Sequence, residues 1–106
     1  MINQKQMQLI QKLLEKTRKQ EIHWKETETV EEFQISFPSS SVRISGSGEK
    51  IVLGIFNEEG TIIDVIRENE LFTQETNQSL IELLHLARRD ALNADKILDK
   101  IIASLK

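Results

Sequence analysis

Apolar residues recur with helical spacing along almost the whole stretch from Ser79 to Lys106: Leu80, Leu84, Ala87, Ala91, Ala94, Leu98, Ile101 and Leu105 step by alternating fours and threes. That spacing predicts a long helix with one continuous stripe. Ile81, Leu83, Ile97 and Ile102 widen the stripe at its two ends, whereas its middle is alanine alone, flanked by Arg88, Asp90 and Asp95. Small side chains admit a close neighbour, so Ala87, Ala91 and Ala94 are expected at a crossing point and the two ends in a core. The helix would be about 40 Å long at 1.5 Å per residue, more than a domain of this size needs. It is therefore expected either to bend near Asn93 or to project toward a second subunit.

At the other end of the chain, Met7, Ile10, Leu14 and Thr17 share one helical face with Leu9 and Leu13 beside them, predicting a first helix from Asn3 to about Gln20. Its basic last turn, with Lys16, Arg18 and Lys19, suits the negative end of a helix dipole. From Ile22 the period becomes two. Ile22 and Trp24 are expected on one face of a strand, with His23 and Lys25 on the other. An acidic connector, 26–32, precedes a second alternation in Phe33, Ile35 and Phe37; Pro38 and three serines turn the chain into Val42 and Ile44. The next strand has Ile51, Leu53 and Ile55 on one side and Val52 and Phe56 on the other, with Gly54 between, and apolarity on both faces predicts a central strand. A hairpin over 57–60 places Gly60 at a left-handed position, and Thr61 to Ile66 returns as the last strand. Glu68 to Gln78 reads as a connector holding Leu71 and Phe72, with Thr76 as the cap of the long helix.

The expected architecture is α+β and a single domain, 1–106: an N-terminal helix, an antiparallel meander of four or five strands, and a long C-terminal helix, the helices on one sheet face. A chain of 106 residues, 39% hydrophobic and 29% charged, can bury a core. It has no cysteine, which removes disulfides and thiolate chemistry and leaves the cytoplasm as the expected compartment. The first residues have no apolar run of signal-peptide or membrane-span type. The formal charge of −3 is unevenly spread, basic over the first twenty residues and acidic over 49–75. Two halves of one fold neutralising each other account for that pattern.

Trp24 with Thr27, Phe33 and Phe37, Val42-Arg43-Ile44, Leu53-Gly54-Ile55 with Asn57 and Gly60, and the run Leu84 to Arg89 resemble a pattern in a loosely defined group of small bacterial α-β(meander)-α proteins without an assigned activity. The resemblance implies the order of elements and a bacterial or phage origin, and it carries no site.

Candidate chemistry is sparse. Gly46-Ser47-Gly48-Glu49-Lys50 has glycines and a lysine, but a phosphate loop needs a helix after it and a longer spacing, and here a strand follows. His23 and His85 are the only histidines and neither lies in a metal-binding motif. Glu26, Glu28, Glu31 and Glu32 lack the alternating pattern of a calcium loop, and Ser39 to Ser41 lack a nucleophile elbow. No catalytic residue, cofactor or metal is expected. Arg88 and Arg89, beside the close-approach alanines, are the expected contact residues, either for a partner's carboxylate or phosphate or for an internal ion pair with Asp90 or Asp95. Val52 and Phe56 form a second candidate surface unless the connector with Leu71 and Phe72 seals them.

These features favour a non-enzymatic protein–protein interaction module that forms a homodimer through the C-terminal helix. The alternative is an accessory factor that contacts nucleic acid through the basic first helix and Arg88/Arg89, and the third reading is a small-ligand or enzymatic domain. Aromatic and basic residues adjoin only at Trp24-Lys25, so nucleic acid is not an expected partner, nor is a membrane.

Overall fold

The computed structural model of the protein describes residues 3–46, 50–68 and 73–105. Its elements in chain order are α1 (Gln4–Arg18), β1 (Lys25–Glu26), β2 (Glu32–Phe37), β3 (Ser40–Ser45), β4 (Val52–Asn57), β5 (Ile62–Arg67), α2 (Gln74–Ala91) and α3 (Ala94–Ser104). Each strand pairs antiparallel with the next, giving a five-stranded meander in the order β1-β2-β3-β4-β5. This is the expected α+β fold, with β4 inside the sheet rather than at an edge.

The register sorts the side chains. Glu26, Phe33, Ile44, Leu53 and Ile66 lie in one row across the five strands, and Lys25, Gln34, Arg43, Gly54 and Val65 in the next. Because neighbouring positions on a strand face opposite sides, these rows belong to opposite faces. Phe33, Ile44, Leu53 and Ile66 of the first row are buried together with Ile10, Leu13 and Leu14 of α1 and Leu80, Leu83, Leu84 and Ala87 of α2. The helices therefore cover that side. Gln6 Nε2 donates to Asp64 Oδ2 at 3.0 Å, placing the start of α1 at β5, and α2 packs over β1, β2 and β3.

The helix ends follow from local chemistry. Asn3 accepts from the Gln6 N–H at 2.7 Å while the Gln6 side chain accepts from the Asn3 N–H at 3.1 Å, a reciprocal cap. Past the last turn, Gln20 adopts φ 59°, and the N–H groups of Gln20 and Glu21 donate to the carbonyls of Thr17 and Lys16. That is a Schellman ending built on a residue other than glycine. On the solvent side of α1, Lys19 and then Lys12 hold the Glu15 carboxyl below the ordinary glutamate range through hydrogen bonds and charge.

Three local expectations are corrected. The second helix begins at Gln74, not near Ser79, and its cap is Thr73: its hydroxyl accepts from the Thr76 N–H at 3.1 Å, and Thr76 is buried in the first turn. The polar run 74–78 hid that turn, because its single inward position is a threonine. The strand expected at Ile22 to Trp24 is absent, and β1 has only Lys25 and Glu26. Trp24 instead sinks into the core, its indole N–H donating to Thr17 Oγ1 at 3.0 Å and its backbone N–H to the Asp90 carboxylate of α2. A backbone donor used by α2 is lost to a sheet ladder, so the alternation misread an anchor as a strand. Finally, the C-terminal stripe is not one helix: α2 ends at Ala91 and α3 begins at Ala94, with Asn93 between them at φ 53°, ψ 49°. The bend near Asn93 is thus a break, at a residue type that tolerates the left-handed region.

Candidate interaction surfaces

α3 contributes no residue to the core. Ile97, Leu98, Ile101, Ile102 and Leu105 are between 45% and 78% exposed, on a helix whose main packing among the described residues is against α2. At 100° per residue these five side chains and Ala94 fall within an arc of about 140°, with Asp95, Asp99, Lys96 and Lys100 on the remaining circumference. The five large residues present on the order of 500 Å² of apolar surface, near the upper end of the roughly 300–600 Å² that a monomer leaves in one patch. An isolated helix of 11 residues is also marginal in water, because nucleation costs more than so few hydrogen bonds return.

The elbow between α2 and α3 is concave. Arg88, Arg89, Leu92, Ala94, Ile97 and Leu98 line a cleft of about 280 Å³, mostly apolar. The two arginines stand at its rim and are held in place: Arg88 pairs with Glu31, its Nε 2.9 Å from Oε2, and Arg89 pairs with Asp95. Both internal pairs join segments that the elbow has to hold, Glu31 before β2 and Asp95 in the first turn of α3. Exposed pairs of this kind add little stability, but they fix where the guanidinium groups stand.

The alanine strip is divided. Ala87 is fully buried on the inner face of α2 and Ala91 packs against the same core, so both serve as close-approach positions within the subunit; only Ala94 lies at the elbow. The C-terminal end of the stripe, with Ile97, Leu98, Ile101, Ile102 and Leu105, was expected in a core and is instead exposed, because α3 leaves the body at the elbow.

Val52 and Phe56 lie on the sheet face away from α1 and α2, and both are half-buried. The Arg43 guanidinium stands 5.2 Å from the centre of the Phe56 ring, and Arg43 Nε donates to Gln34 Oε1 at 2.7 Å. A cation over the ring and a polar row beside it shield part of this surface. Leu71 and Phe72, expected as a possible seal, lie outside the described residues.

A further cleft, of about 470 Å³, lies between the segment around β1 and β2, lined by Ile22, His23, Lys25, Ile35 and Phe37 among others. His23 Nδ1 is 3.1 Å from Asp90 Oδ1, and His85 is exposed on α2. Among the described residues no group of three His, Cys, Asp or Glu is placed to hold a metal ion. The basic residues of α1 and of its C-cap largely face carboxylates: Arg18 meets Glu82, Lys12 and the capping Lys19 meet Glu15, and Lys16 meets Glu21. Among the described residues no helix is long and apolar enough to cross a membrane. Comparison with known protein families, curated proteins and solved structures finds no match.

Proposed function

We propose that this protein is an interaction module that associates with itself through α3. The observation that carries the reading is a helix with an apolar arc and no buried residue. Burying a Leu or Ile side chain is worth about 1.5–3 kcal/mol, so five half-exposed ones represent a large driving force left unused in a single copy. Homo-oligomerisation supplies the missing apolar surface without requiring another gene product, and twofold dimers are the commonest closed assembly. Arg88 and Arg89 already engaged with carboxylates of the same chain make the nucleic-acid reading the weaker one.

The test is Ile101→Asp, measured by light scattering beside the unaltered chain. Ile101 lies in the middle of the exposed arc and touches none of the core. The unaltered protein is expected at twice the chain mass and the variant at the chain mass, with the thermal unfolding of the α+β body retained. Two chains of equal, monomeric mass would remove the proposal.

A further inference from the structure

Resting on that reading, we infer that the two copies of α3 pair antiparallel about a twofold axis, the tip of each helix seated in the elbow cleft of the other. The first support is the placement of the apolar residues. Ala94 and Leu105 lie equally far from the point between Asp99 and Lys100, as do Leu98 and Ile101. Antiparallel helices centred on that point set Leu98 against Ile101 of the partner subunit and Ala94 against Leu105 of the partner subunit. Large faces small at the elbow, which is how facing layers interdigitate. A twofold interface requires such self-complementarity, since each contact occurs twice with the roles exchanged.

The elbow supplies the second support. Its cleft of about 280 Å³ is lined by Leu92, Ala94, Ile97 and Leu98, and the most exposed apolar residue of α3, Leu105, sits at the far end of the same helix. A knob and a hole on one surface are joined only by an antiparallel copy. A parallel copy would bring a second α2 into the elbow and set Ala94 against its own counterpart, leaving the cleft unfilled.

Charge provides the third. The last turn of α3 carries no basic side chain, Lys106 follows it in sequence, and apart from the Ile102 carbonyl, which accepts the Leu105 N–H, its final carbonyls are those a helix leaves open at its end. Antiparallel pairing brings that negative end to Arg88 and Arg89 of the partner subunit. Each guanidinium has five donors, and its internal carboxylate uses only some of them. The five exposed residues supply on the order of 500 Å² of the roughly 800 Å² per partner in a standard interface, and Leu92, Ala94 and the aliphatic stems of the arginines lie where the remainder is needed.

The chain has no cysteine, so single introduced thiols report the geometry without background. Ala94→Cys and Leu105→Cys variants are prepared separately, their mass is checked by light scattering, and each alone and an exchanged mixture of the two is oxidised. The inference expects dimers in every sample, a disulfide-linked dimer in the mixture, and several-fold less linkage in either variant alone. Linkage of Ala94→Cys to itself and of Leu105→Cys to itself would mean parallel helices, overturning the inference while leaving self-association through α3 intact. Dimers without linkage in any sample would place the interface elsewhere and overturn both. A unaltered chain that is monomeric by mass would remove the self-association reading itself, independently of any cysteine result.

Discussion

Asp90 joins two parts of the molecule through one carboxylate. Its two oxygens take the backbone N–H of Trp24 and Nδ1 of His23, and its position on α2 ties the segment after α1 to the second helix. Trp24 itself is buried with its indole N–H satisfied by Thr17, whose hydroxyl donates in turn to the Leu13 carbonyl at 2.6 Å. Removing the carboxylate strands a backbone donor beside a buried tryptophan. Asp90→Ala is expected to cost about 1–3 kcal/mol in urea unfolding, whereas His23→Ala, at an exposed site, should stay within about 0.5 kcal/mol. Equal effects of the two substitutions would show that the backbone bond is not what holds this segment. Nothing in the spacing of residues 22–26 announced this anchor, because a partner 66 positions away decides it. Local alternation was read as a strand for that reason. Gly60 is the opposite case: its φ of 83° follows a hairpin signal entirely contained in 57–60, and it was legible from those residues alone.

At the scale of elements, the consequential feature is the break at Asn93. A left-handed residue other than glycine costs on the order of 1 kcal/mol, less for asparagine, and here it turns a stripe of one helix into two differently used faces. Before the break the stripe is core; after it the stripe is bare. Asn93→Gly should preserve both fold and association, since glycine enters the left-handed region freely. Asn93→Ala should lower the stability of the elbow by about 1 kcal/mol and weaken association, because alanine favours a continuous helix. Thermal melts with light scattering on both variants check this, and an alanine variant that matches the glycine variant in both would contradict it. The sequence showed the period of this region and the candidate bend, yet periodicity cannot say whether a stripe meets its own domain or another copy. α1 and α2 cover the inner face of the sheet, and only the packed fold shows that α3 buries none of its described residues there.

The whole molecule carries the same imprint. Its radius of gyration is 14.8 Å, against about 13 Å for a compact chain of this length, and its longest extent is 50 Å. An α+β body that holds the buried core and a projecting helix with no buried residue account for that difference. The order of elements, the meander and the helix-covered face followed from hydrophobic periods because each is set by neighbours in sequence. What the surface does was less legible: the pairing of Arg89 with Asp95 was among the expected internal ion pairs, but Arg88 acquires its meaning from Glu31, 57 positions away, and α3 from how little of it is buried.

The central claim, that α3 is the element of self-association, is tested most directly by amide hydrogen exchange of the unaltered chain at increasing protein concentration. Amides of the lone helix should exchange rapidly in dilute solution, because so short a helix frays without a partner. The account predicts that protection of 94–104 rises with concentration, in step with the shift from chain mass to twice that mass, while the amides of α1, α2 and the sheet stay as they were. Protection of α3 that is unchanged by dilution, or a rise confined to another element, would contradict it.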